Sequence, residues 1–270
     1  MGDSEKKDTK AKSAKKKKTP EPIDSTMSLG DHLEELRARL ILAISGLAIA
    51  LIVCLSLGKF IISFIEMPYI KAMGEQARLQ AIAPTDGFVS YMEISMIAGV
   101  VISSPWIFYQ LWLFIVAGLY PKEKRYIYLA VPFSATLFIT GALFFVFVIA
   151  PVTLRFLVLF NKRVLGIASN FTFKSYVSFV SIMMLVFGLA FQTPVAIFFL
   201  NKTGLVSIEA LCRSRKYVVL GTVIVAAAAT PGSDLFSLFA LAIPIYLLFE
   251  LGILLSYFAN RRKRLQKGWS

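Results

Sequence analysis

Apolar runs long enough to cross a membrane recur along most of this chain, and no other feature limits its fold as tightly. In order they occupy 40–57, 88–119, 126–149, 176–200, 217–229 and 235–258. A helix needs about 17–25 apolar residues to span ~30 Å of hydrocarbon, and every run but the fifth supplies them. The run at 217–229 gives only about 20 Å of helix, too short to stand upright in an average bilayer. With 57% hydrophobic residues and a mean hydropathy of +0.71, the chain lies far from soluble composition. The expected fold class is all-α, a polytopic membrane protein of six helices.

Charge then gives organisation. Residues 1–27 are lysine-rich and nearly free of apolar side chains, so they bury too little surface to fold. Residues 28–258 hold the six spans, and 259–270 form a second basic tail. The tail at 1–27 lacks the apolar core of a cleaved signal peptide. Of the 29 Lys and Arg residues, 22 fall on the side that carries both termini and 7 on the other. The positive-inside bias makes both termini cytoplasmic. The net charge of +13 thus reflects membrane orientation, and nucleic-acid binding is not expected as the main function. One histidine and two well-separated cysteines, Cys54 and Cys212, argue against a zinc or haem centre and against a disulfide. No HExxH, GxSxG or P-loop motif is present, so the chain reads as no enzyme. No internal repeat supports an inverted-repeat transporter.

Within the spans, prolines predict the irregularities. Pro105 predicts a kink in the second run, Pro151 an end to the third, and Pro194 a kink in the fourth. The stretches 58–83 and 152–174 read as mixed loops, the first containing an amphipathic piece at 60–73 suited to lie on the membrane surface. Thr85-Asp86-Gly87 reads as a turn and cap.

Candidate functional residues are polar groups at membrane depth or at its edge, where their burial is costly. The stretch SLGDHLEELRARL at 28–40 puts His32, Glu35 and Arg39 on one helical face, at the boundary between water and lipid. Inside the spans stand Glu93, Gln110, Gln192 and Glu250, none with an opposite charge evident in its own span. Glu34, Glu35 and, in the charged turn at 121–125, Glu123 are carboxylates suited to receive guanidinium groups by charge-assisted hydrogen bonds. They equally balance the neighbouring Arg37, Arg39, Lys124 and Arg125. Gln192 precedes Pro194 by two residues. Its amide either satisfies the carbonyl that the proline orphans or bonds a neighbouring helix.

Four segments occur together and in order: HLEELRARL before the first span, SSPWIFYQLWLFIVAGLYPKEKR through the second, FGLAFQTPVAI in the fourth, and ATPGSDLFSLFALAIPIYLLFELGI in the last hairpin. Together they resemble TatC, the multispanning receptor subunit of the twin-arginine protein translocase. The resemblance covers about Ser28 to Tyr257. It implies a concave bundle in the bacterial inner membrane with short fifth and sixth helices. The implied activity is binding of twin-arginine signal peptides on folded cargo and their export by the proton-motive force. The implied partners are single-span TatB-like and TatA-like subunits, membrane lipids and further copies of the chain, with no cofactor. By motif position, Glu35 and Glu123 match the arginine-binding acids, with Glu34 a weaker candidate. Pro68, Pro105, Gln110, Phe114, Asp234 and Glu250 also fall on motif positions. Gln192 stands where many members of the family have glutamate. Two rival readings are a secondary transporter, which would carry out substrate flux alone, and a membrane scaffold indifferent to arginines in a cargo.

Overall fold

The computed structural model describes residues 29–74, 79–117, 127–167, 171–229 and 235–267. Among them all regular structure is helical apart from one isolated bridge, Gln80 to Thr172. In chain order the helices are α1 Leu29–Met73, α2 Asp86–Ala117, α3 Ile127–Phe144, α4 Ala150–Phe160, α5 Phe173–Ala190, α6 Thr193–Lys202, α7 Ile208–Arg213, α8 Arg215–Ala229 and α9 Leu235–Lys267. Five segments are long and apolar enough to cross a membrane: Leu33–Met73, Asp86–Ile115, Ala130–Leu165, Phe173–Lys202 and Leu235–Ala259. The helix at the expected fifth span, α8, has 15 residues, about 22 Å of helix, as short as its sequence predicts. The six-helix, all-α expectation holds.

Several boundaries differ from the sequence reading. The stretch 58–83 does not open as a loop at Gly58, and no separate surface helix forms over 60–73. Instead α1 runs unbroken for 45 residues, about 67 Å. Gly58 does not end it because the Tyr91 ring of α2 occupies the space a Cβ would take, and the Tyr91 hydroxyl donates to the Leu55 carbonyl. Pro68 does not end it either. Its ring is fully buried, and one turn before it the Tyr176 hydroxyl of α5 donates to the Ile65 carbonyl at 2.5 Å.

The third span likewise passes its proline. A π-helical turn, Phe145–Ile149, links α3 to α4, and Pro151 falls in the first turn of α4, where a missing N–H costs nothing. The helix continues through a second π turn, Asn161–Leu165, and stops at Gly166, whose φ of 65° is left-handed and favours glycine. The fourth span is two helices, α5 and α6, separated at Phe191–Gln192, with Pro194 in the first turn of α6. In the second span α2 continues unbroken through Pro105. Pro105 removes the donor for the Val101 carbonyl, and the Ser104 hydroxyl supplies one at 2.7 Å.

Two clasps join α1 to α2. Trp106 lies over Gly46 as Tyr91 lies over Gly58, and the Trp106 indole N–H donates to the Leu42 carbonyl at 2.9 Å. Each clasp needs a glycine, because a Cβ would fall inside the aromatic ring. The main core lies toward the end of the bundle where α1 finishes and α2 begins. It is built on Ile65, Ile94, Phe145, Val177, Met183 and Phe187. A second cluster, Phe108, Trp112, Phe138 and Val195, joins α2, α3 and α6, and a third, Ile197, Leu211, Phe249 and Ile253, joins α6, α7 and α9. Opposite α2, α1 presents Ile41, Ile44, Ile49, Ile52 and Phe60 to the outside, the composition expected of a lipid-facing stripe.

Candidate functional site

The N-terminal end of α1 carries the sequence-predicted acids. Glu34 is exposed and Glu35 half-buried, as their separation of about 100° around the helix requires. Glu35 is paired one turn on: Arg39 Nη2 donates to Glu35 Oε1 at 3.3 Å. Arg39 also reaches α2, where Nη1 lies 3.5 Å from Gln110 Oε1. Gln110 is only 2% exposed. Trp106 and Gln110 stand one turn apart on α2, so one face of α2 holds both Leu42 and Arg39 of α1. The structure thus joins two sequence candidates, Glu35 and Gln110, through Arg39. Glu123 and Asp234 lie outside the described residues.

Gln192 sits in the break between α5 and α6. Its Nε2 donates to the Ser134 carbonyl of α3 at 2.9 Å. The Ser134 hydroxyl in turn accepts from the Trp112 indole N–H of α2 at 3.0 Å. Of the two options open to the amide, this is the bond to a neighbouring helix. The result is a polar seam, Trp112–Ser134–Gln192, inside an apolar cluster, with the Trp112 ring edge-on to Phe199 of α6 at 4.9 Å. Neither Trp112 nor Ser134 was singled out from the sequence, since an indole and a hydroxyl in apolar runs carry no periodic signal.

Glu250 of α9 has partners that the sequence reading missed. Arg215, the first residue of α8, donates to Oε2 at 2.9 Å, and the Tyr246 hydroxyl donates to Oε1 at 2.7 Å. The Tyr246–Glu250 spacing of i,i+4 was visible in the sequence. The Arg215 partner comes from another helix and was not. This group ties the short α8 to α9.

The other candidates are dispersed. Pro105 is exposed on α2, and Phe114 is half-buried near its end. Glu93 is half-buried in the opposite half of α2. Pro68 lies on α1 about 50 Å from Glu35 along the axis, so the two belong to opposite ends of the bundle. Around Pro68 the chain is braced: Tyr69 packs on Tyr176 at 5.4 Å and on Phe171 at 6.0 Å. Gln80 links to the stretch Phe171–Phe173 through Gln80 N to Phe171 O, 3.4 Å, and Phe173 N to Gln80 O, 2.8 Å. Asp86 Oδ2 accepts from the backbone N–H groups of Ile82 and Ala83 at 3.1 and 2.9 Å, so its carboxylate closes the preceding turn. Among the described residues no group of His, Cys, Asp and Glu is arranged to hold a metal ion.

Comparison with known proteins is uniform. The family described as Sec-independent protein translocase protein (TatC) matches residues 31–244. A relative of that name from Helicobacter pylori (strain ATCC 700392 / 26695) is 37% identical over 232 residues, 86% of this chain and 88% of that protein. The Aquifex aeolicus relative is 34% identical over 238 residues, covering 88% and 98%, and the Escherichia coli K12 relative 33% over 236 residues, covering 87% and 90%. A crystal structure described as the twin arginine translocase receptor TatC superposes with a TM-score of 0.77 at 33% identity, over 85% of this chain and 99% of that one. Sequence and backbone thus agree over most of the chain. It therefore belongs to the TatC family, multi-pass membrane proteins of protein transport rather than enzymes.

Proposed function

We propose that this chain is the receptor subunit that takes up twin-arginine signal peptides of folded proteins at the cytoplasmic face of the inner membrane. Export then proceeds with single-span TatB-like and TatA-like partners, driven by the proton-motive force. The observation that carries the reading is Glu35: a half-buried carboxylate at the polar end of α1, backed by the buried Gln110 of α2. A guanidinium arriving there meets an acceptor whose geometry is already held from two helices. Glu123 is the second acceptor in this reading, and Glu34 an accessory one. Gln192, at the α5–α6 break, is the docking point for a partner's membrane helix, using amide capacity beyond its bond to Ser134.

A signal peptide bearing two consecutive arginines and a photoreactive side chain nearby will crosslink to the membrane-inserted protein, and the same peptide with two lysines will crosslink several-fold less. Equal crosslinking by both would remove the receptor reading and favour a scaffold.

Orientation follows from the basic residues. Single cysteines placed at Ser233 will be labelled by a membrane-impermeant maleimide in intact cells, whereas cysteines placed within 261–267 will be labelled only after lysis. The reverse pattern would invert the topology and take Glu35 away from cytoplasmic peptides.

A further inference from the structure

We propose that Arg39 is a built-in placeholder for the incoming guanidinium, displaced from Glu35 onto Gln110 when a signal peptide binds. The inference rests on the reading of Glu35 as an arginine acceptor and adds how that site is kept and opened. A Glu–Arg pair at i,i+4 is commonplace on helices and by itself shifts little. The third member is what gives this pair a function.

Gln110 belongs to another helix and is 2% exposed, and its side-chain carbonyl oxygen lies 3.5 Å from Arg39 Nη1 while Nη2 sits 3.3 Å from Glu35 Oε1. One guanidinium therefore engages two acceptors with two different nitrogens, as its planar fork allows. With the site empty, the half-buried Glu35 carboxylate keeps a cationic hydrogen-bond partner and so avoids the cost of an unpaired buried charge. When a second guanidinium arrives, only the Nη2 contact has to break. Arg39 stays anchored through Gln110, and the incoming group takes its place on Glu35 Oε1.

Two consequences follow. Arg39 competes with the peptide, so removing it exposes a vacant acceptor. Gln110 holds the displaced arginine, so removing it makes displacement harder. Both effects belong to this one guanidinium. Arg37, two residues away and exposed, shares the charge but makes neither contact among the described residues.

The test is the affinity of the full-length, membrane-inserted protein for a fluorescent signal peptide with two consecutive arginines, at fixed salt. Arg39→Gln is expected to tighten binding about threefold to fivefold, the upper scale of an exposed ion pair, and Arg37→Gln by less than twofold. Gln110→Leu is expected to weaken binding about twofold to threefold, and to have no effect when Arg39→Gln is already present. That cycle keeps the test sharp if Gln110→Leu loosens the packing, because a packing effect would persist without Arg39. Unchanged or weaker binding by Arg39→Gln, or equal tightening by Arg37→Gln, overturns the placeholder. Glu35→Gln separates the two levels. If it leaves affinity unchanged, the acceptor reading of Glu35 fails and the placeholder with it. If it weakens binding while Arg39→Gln fails to tighten it, the placeholder alone falls.

Discussion

Glu35→Gln and Glu123→Gln will each weaken binding of a twin-arginine peptide by about tenfold, and together they will abolish export of a folded twin-arginine reporter. The reasoning begins with charge. Glutamine keeps the shape of the side chain and its capacity to accept one hydrogen bond, so the packing of α1 against α2 stays intact. What it removes is the negative charge that makes each contact charge-assisted, worth about 1.5–3 kcal/mol per bond. At Glu35 part of that loss is returned, because Arg39 no longer has to leave the carboxylate, which keeps the net effect near the lower end. A factor of ten is about 1.4 kcal/mol, and two independent losses add when the two acids receive different arginines. Peptide affinity for the single and double variants, measured with insertion and abundance monitored in parallel, checks this. Unchanged affinity in the double variant would mean that the consecutive arginines are read elsewhere.

Much of the fold was legible because hydrocarbon length and charge asymmetry are properties of composition over windows, and windows survive local error. The boundaries were less legible because each proline or glycine behaves according to the groups around it, some adjacent and some far away in sequence. Pro68, Pro105, Pro151 and Pro194 are four prolines in apolar helices, and they have four outcomes. Pro68 stays inside α1 with its ring fully buried, and Tyr176, more than a hundred residues later, braces the nearby Ile65 carbonyl. Pro105 is accommodated by the hydroxyl of its own neighbour Ser104. Pro151 follows a π turn that absorbs the irregularity. Only Pro194 accompanies a true break. A donor next door is readable in the sequence, whereas one on another helix is not.

The site divides the same way. Glu35 and Arg39 share a helical face, which spacing alone predicts, and the structure pairs them. That Gln110 completes the group depends on how α2 packs on α1, fixed by the clasp of Trp106 over Gly46 one turn away. Glu250 looked like a lone carboxylate at membrane depth because its cation, Arg215, starts a helix that runs beside α9. An acid in an apolar helix whose partner is sequence-distant reads as a functional outlier until the packing is known. Here the pairing gives Glu250 a structural task, fixing a helix too short to be held by its own burial.

Gln192→Leu will leave the protein inserted and able to bind peptide, while lowering crosslinks to a partner's membrane helix and export of a folded reporter by about threefold or more. The structural cost of the change is small. The bond lost is the one from Gln192 to the Ser134 carbonyl. Ser134 remains within α3, so its carbonyl retains a helical partner. Trp112 keeps its own bond to the Ser134 hydroxyl. Leucine also fits the apolar surroundings of Phe108, Trp112 and Val195. Interhelical hydrogen bonds in membranes contribute only about 0.6–2 kcal/mol, too little to unfold the bundle but enough to shift a docking equilibrium severalfold. Gln192→Glu separates docking from packing. A carboxylic acid that carries its proton donates to Ser134 as the amide does and still offers an oxygen to a docking helix. It should therefore retain most crosslinking and export, whereas leucine should not. Insertion, peptide binding, partner crosslinking and export, read side by side for the two variants, make the comparison. Full export with Gln192→Leu would confine Gln192 to holding the α5–α6 break against α3. Loss of peptide binding in both variants would show instead that the break positions the receptor site itself.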